Sequence, residues 1–97
     1  MDMLKKAIYK VPNGKLLKVA LTANNGRIGQ LKITGDFFLY PEEDLQKLEE
    51  ALIHCQLEKT ALESVCREFQ KKHGTQFFGL TGESLAHTIL LASQQSP

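Results

Sequence analysis

Gly35-Asp36-Phe37-Phe38 is the stretch on which the fold of this 97-residue chain turns. It ends a run of alternating residues, and Pro41-Glu42-Glu43-Asp44 follows at once with helix-start chemistry. Neighbouring side chains on a strand point to opposite faces, so Phe37 and Phe38 cannot both enter one core while the strand stays regular. Either the chain bends at Gly35, or one ring is left over for a partner. The first reading makes the motif a shaped strand-to-helix corner; the second makes it a docking point.

Working back from Gly35, Arg27 to Thr34 reads as a strand and Asn24-Asn25-Gly26 as the loop before it. Residues 15–23 form the preceding strand, with Leu17, Val19, Leu21 and Ala23 on one face. Leu16, Lys18, Ala20 and Thr22 share the other, wetter face. Asn-Gly ordinarily makes a two-residue turn. Here that register sets Val19 against Lys32, whereas a three-residue loop sets Val19 against Leu31 and Leu17 against Ile33. Burial of one face fixes register, so the three-residue loop is expected. Residues 5–11 supply a further strand, joined through the turn residues Pro12-Asn13-Gly14.

Working forward, Pro41 suits the first turn of a helix over about 41–55, with acids on its positive end and Leu45, Leu48 and Leu52 as its inner stripe. Thr60-Ala61-Leu62-Glu63 has the capping-box pattern for a helix over about 61–73, with Leu62, Val65, Cys66 and Phe69 inward and Gly74 as its left-handed stop. Phe77-Phe78 falls in the following loop. Thr81 caps a third helix, about 82–94, and Gln94 to Pro97 is expected to fray. Three strands followed by three helices predict an α+β domain over residues 1–97: a three-stranded antiparallel sheet with helices on one face.

A chain of this length buries about 60–70% of its unfolded surface, enough for one core. It is 42% hydrophobic and 24% charged, with a formal net charge of +1. That total offers no strong field for nucleic acid or membrane, and there is no signal-like or bilayer-spanning run, so a cytoplasmic protein is expected. The catalytic inventory is thin. There is no Walker loop and no G-x-S-x-G. His54, His73 and His87 lack metal-ligand spacing; His54 and His73 read as helix-end partners of the dipole. Cys55 and Cys66 make no CxxC pair, and their helical settings suit inert thiols. Asp36 has no second carboxylate close in sequence. Lys15, Lys18 and Lys32 come from adjacent strands, either as a solvated face or as a basic surface for an anionic partner.

Gly14-Lys15-Leu16-Leu17-Lys18, the Asn-Gly hairpin, Ile33-Thr34-Gly35-Asp36-Phe37-Phe38 and the acidic helix start at Pro41 together resemble the C-terminal accessory domain of lipoate–protein ligases. The likeness extends through Thr-Gly-Glu-Ser-Leu at 81–85 and so covers nearly the whole chain. In most bacterial members this domain is fused behind a catalytic domain. A chain that begins here is similar to the small subunit of a split, two-protein ligase. The resemblance implies a partner subunit that binds ATP, Mg and lipoate, forms lipoyl-adenylate and passes the lipoyl group to a lysine of an acceptor protein. It implies that this chain supports activation, holds no catalytic residue or metal, and binds no cofactor by itself. The marked family positions are Gly14, Lys15, Gly35, Asp36, Phe37 and Phe38. Of these, Lys15, Asp36, Phe37 and Phe38 are expected at the surface that meets the catalytic subunit. The family fold is also reminiscent of sulfur-transfer and iron–sulfur scaffold proteins. Two alternatives follow: a sulfur-transfer or scaffold-like protein using a cysteine thiol, and a plain protein-interaction module.

Overall fold

In the computed structural model, residues 4–12 and 15–94 are described; residues 1–3, Asn13, Gly14 and, of the Gln94–Pro97 end expected to fray, residues 95–97 lie outside them. Three strands form the antiparallel sheet, β1 (Lys5–Lys10), β2 (Leu16–Asn24) and β3 (Arg27–Gly35), in the order β1-β2-β3. Three helices follow, α1 (Asp44–Leu52), α2 (Lys59–His73) and α3 (Gly82–Ser93). The α+β class and the helices on one face are therefore as the sequence order implies. α3 packs on β1 and β2, α1 on β3, and α2 against α1 and α3. Two strands were not anticipated: β4 (Phe38–Tyr40) and β5 (Gln76–Phe78) pair antiparallel as a separate ribbon.

The core is built from the alternation read in the sequence. Leu17, Val19, Leu21 and Ile33 are buried, and the helices meet them with Leu48, Leu52, Leu62, Cys66, Phe69, Leu85 and Ile89. Each fully buried aliphatic side chain of this kind contributes about 1.5–3 kcal/mol.

The hairpin corrects the expected register. Asn25 and Gly26 have φ of 54° and 75°, the signature of a two-residue turn with both central residues left-handed, and Asn24 pairs with Arg27. The register then shifts between Thr22 and Ala23, so that Val19 faces Ile33 and Leu21 faces Leu31. The extra residue is Gly29, a β-bulge. The bulge performs the task assigned to a longer loop: it places Ile28, Leu31 and Ile33 on one face although 28 and 33 differ in parity. Gly29 is required there, because a Cβ would lie 2.7 Å from Thr22 Oγ1, the atom that accepts the Gln30 N–H at 2.9 Å.

Two helix starts also differ from expectation. The Tyr40–Pro41 peptide is cis, and α1 begins only at Asp44, after a turn closed by the Asp44 N–H donating to the Pro41 carbonyl at 3.1 Å. Thr60 sits inside α2 rather than at its cap, which is Glu58 with no side-chain capping bond. Gly74 (φ 65°) ends α2 and Thr81 caps α3 as expected, Thr81 doing so through a capping box with Ser84.

α1 ends at Leu52, three residues short of the expected limit, because the chain beyond it is taken by the outer edge of β3. Ile28 N–H donates to the Cys55 carbonyl at 3.0 Å, His54 N–H to the Ile28 carbonyl at 2.7 Å and Leu57 N–H to the Gly26 carbonyl at 2.9 Å. Further along the same edge, the Ile33 N–H donates to Glu49 Oε2 at 2.7 Å, with Glu49 buried. The β3 edge of the sheet is thereby partnered at Gly26, Ile28 and Ile33 without a fourth strand.

Candidate partner-docking site at the Gly35 corner

Phe37 and Phe38 part company at a bend in the chain. The chain bends at Gly35, whose φ of 143° lies in territory that favours glycine, and a Cβ there would lie 2.2 Å from the Leu16 carbonyl oxygen. The Asp36 N–H donates to that same carbonyl at 2.8 Å. After the bend Phe37 is half-buried against the core, Leu39 is buried, and Phe38 is left outside, 54% exposed.

The second Phe pair meets the first. Phe38 lies opposite Phe78, Leu39 opposite Phe77, and Tyr40 opposite Gln76. Leu39 and Phe77 turn inward. Phe38 and Phe78 stack face to face on the outer side, with ring centroids 4.6 Å apart and planes 15° apart. Tyr40 shares their face at 65% exposure, and Phe78 is 42% exposed. Three large rings thus stand open on a two-stranded ribbon. Beside them lies a recess of about 310 Å³, lined among others by Gly35, Phe37, Phe38 and Leu45.

The ribbon is held firmly. The Thr75 hydroxyl, just before β5, donates to Oδ2 of buried Asp44 at the start of α1. Gly79 (φ 76°) runs so close to Asp36 and Phe37 that a Cβ would sit 3.0 Å from the Asp36 carbonyl oxygen. A rigid display of aromatic rings is the composition expected of a buried anchor in a protein–protein joint.

Of the residues singled out in the sequence, Asp36, Phe37 and Phe38 converge at this corner. Lys15 precedes Leu16, whose carbonyl receives the Asp36 amide, so it belongs to the same corner and is exposed. Gly14 lies outside the described residues. Tyr40 and Phe78 were missed, although the Phe77-Phe78 repeat was itself a signal. Asp44 and Glu49, the buried carboxylates that tie the ribbon and the sheet edge to α1, were also missed.

The other chemistry-bearing side chains are dispersed. His73, in the last turn of α2, packs its ring 4.4 Å from Phe69, and His87 lies 4.5 Å from Tyr9. His54 stands two residues beyond α1 with φ 70°. Burial pushes the Cys66 thiol up to about 12, with Cys55 and Glu63 adding to the rise. Cys55 is also raised by partial burial, against a smaller lowering by Arg27. Neither thiol has the electropositive, accessible setting of a nucleophile. Among the described residues, no three His, Cys, Asp or Glu side chains are grouped to hold a metal ion, and no helix is long and apolar enough to cross a membrane.

Residues 6–89 match the family described as bacterial lipoate protein ligase C-terminus. The chain belongs to this family. Family membership agrees with a relative, Lipoate-protein ligase A subunit 2 of Thermoplasma acidophilum, which is 33% identical over 69 residues, 71% of this chain and 70% of the relative. It agrees also with a solved structure of a bi-partite lipoate protein ligase and its E2 lipoyl domain from the same organism. One chain of that structure superposes with a TM-score of 0.76 at 28% identity, over 92% of this chain and 97% of its own length. The family resemblance drawn from Gly-Asp-Phe-Phe and the Asn-Gly hairpin therefore holds.

Proposed function

We propose that this chain is the accessory subunit of a two-part lipoate–protein ligase and acts in the cytoplasm. It joins a catalytic subunit through the Phe38–Phe78–Tyr40 ribbon and the Lys15–Asp36 corner. The catalytic subunit binds ATP, Mg and lipoate. There the lipoate carboxylate attacks the α-phosphorus of ATP, pyrophosphate leaves, and lipoyl-adenylate forms. An acceptor lysine amine then attacks the acyl carbonyl and AMP leaves. This chain contributes the docked scaffold on which the activation step depends, and no reacting group.

The observation that carries the reading is the stack of two open Phe rings on a braced ribbon, in a member of this ligase family. A solitary exposed ring is ordinary; a rigid cluster of three is a surface that awaits a partner. The naming of a relative as subunit 2 supports a division of labour between two chains. The test is lipoate-dependent ATP–pyrophosphate exchange by the catalytic subunit with and without this chain. Exchange that appears only with both present supports the reading. Equal exchange by the catalytic subunit alone refutes it.

A further inference from the structure

The formal charge of +1 conceals a segregation. No carboxylate occurs between Met3 and Gly35, while seven lysine and arginine side chains do. With Asp2, the first 35 residues carry a net +6; residues 36–97 carry five cations and ten carboxylates, a net −5. The basic part is the three-stranded sheet, and the acidic part is the helical layer and the ribbon.

The pairing shows where the cations stand. On the sheet face opposite the helices, Lys6, Ala20 and Lys32 form one row across the three strands. Ile8, Lys18 and Thr34 form the next, and Lys10 and Leu16 the third. Two strand spacings separate Lys6 from Lys32, about 10 Å between backbones. Lys6, Lys10, Lys18 and Lys32 are all exposed, and among the described residues no carboxylate pairs with any of them. Ile8 at 65% and Leu16 at 36% exposure supply apolar contact between the charges. Among the described residues, Asp36 stands at the rim of the face, where its N–H donates to the Leu16 carbonyl at 2.8 Å.

We infer that this lysine face is the docking surface for the acidic side of the lipoyl-acceptor protein, a role that rests on the accessory-subunit reading above. Charge complementarity supports an acidic occupant. The face differs in kind from the aromatic ribbon. Lasting joints use buried aromatic anchors, whereas charged surfaces with scattered apolar groups suit partners that arrive, react and leave. A substrate protein must dissociate after every turnover; a catalytic subunit need not. Position points the same way. The third row ends where the Leu16 carbonyl receives the Asp36 amide, two residues before Phe38. An acceptor on the lysine face is therefore adjacent to whatever protein covers the ribbon, as it must be for its lysine to reach a bound adenylate. The face has no aromatic side chain for base stacking, which disfavours a single-stranded nucleic acid as occupant.

The test uses the complex of this chain with its catalytic subunit and a purified acceptor domain that the wild-type complex lipoylates. Lys6→Glu, Lys18→Glu and Lys32→Glu are combined; all three side chains are exposed, so the fold is retained, as circular dichroism and co-purification verify. The expected result is a rise in KM for the acceptor of about tenfold or more at low salt, the lower end of what electrostatic steering contributes. The steep loss of wild-type transfer with added salt should flatten, while lipoate-dependent exchange, which involves no acceptor, is unchanged. An unchanged acceptor KM overturns the assignment, and does so equally if the wild-type chain is retained on immobilised DNA. Loss of exchange or of co-purification in the variant overturns it by assigning the face to the catalytic subunit. Absence of any exchange dependence on the wild-type chain is a separate outcome: it removes the accessory reading itself.

Discussion

Truncating Phe38 and Phe37 separately distinguishes docking from shaping, since the structure places the two rings in different environments. Phe38 keeps 54% of its surface open. A Phe offers about 200 Å², so covering the open half removes about 100 Å² from water, worth about 2.5 kcal/mol. Phe38→Ala should therefore weaken the complex with the catalytic subunit about 60-fold. Its structural cost is dominated by the lost stack on Phe78, about 0.5–1.5 kcal/mol, which lowers the melting temperature by up to about 10 °C for a domain of this size. Phe37 is half-buried against the core. Phe37→Ala should cost about 2–3 kcal/mol of stability, below the range for a fully buried Phe, while its direct effect on the joint is small. Isothermal titration or surface plasmon resonance gives the affinities, and thermal unfolding by circular dichroism gives the stabilities. A folded Phe38→Ala chain that binds within about threefold of wild type refutes the ribbon as the joint, since about 100 Å² of buried ring cannot contribute so little at a docking centre. A Phe38→Ala chain that fails to fold refutes it in the other direction, making the motif a corner-shaping device.

Other positions test the fold that supports the site. Gly29→Ala should destabilise by about 1–3 kcal/mol through the clash with Thr22 Oγ1, and adding Thr22→Ala should recover part of that loss, a coupling read by a double-mutant cycle in urea. Glu49→Leu should cost about 1–3 kcal/mol by orphaning the Ile33 N–H, and Glu49→Gln distinctly less because an acceptor remains; equal losses for the two would deny the hydrogen bond its role. Cys66 should resist iodoacetamide in the folded chain at pH 8, because its thiol is held neutral up to about pH 12. The folded value lies above the ordinary 9.0, so the associated stability is present below about pH 9 and is lost as pH rises towards 12. Cys66→Ala should remove that alkaline component from the unfolding curve, and its persistence would locate the effect elsewhere.

The elements with strong local signals were legible in the sequence, and those defined by distant partners were not. Gly74 and Thr81 carry their own end-of-helix chemistry, and the structure uses both. Thr60 carries an equally good cap pattern that goes unused, since the chain after α1 is already committed to pairing with Arg27 and Ile28 and enters α2 two residues early. Pro41 likewise offers a helix start, but Asp44 has a buried task in bonding Thr75, thirty-one residues away, and the helix begins there. No window around Pro41 or Thr60 contains that information. β4 and β5 are three residues each, too short for alternation to register, and each exists only because the other is beside it.

The hairpin shows a different kind of failure, in which the sequence held the answer and a general rule was applied too narrowly. Ile28 and Ile33 are both apolar yet differ in parity, so a regular strand cannot bury both. That conflict requires one extra residue somewhere between them, and Gly29 is the only glycine in the interval. Assigning the extra residue to the loop satisfied Leu31 and Ile33 but stranded Ile28; assigning it to a bulge satisfies all three and leaves Asn25-Gly26 its preferred turn. The charge segregation was equally open to view as a span from Met3 to Gly35 without a carboxylate. A net charge near zero averages it away. Strand alternation then puts Lys6, Lys10, Lys18 and Lys32 on the one sheet face that no helix covers, so a pattern without consequence in one dimension becomes a basic surface in three.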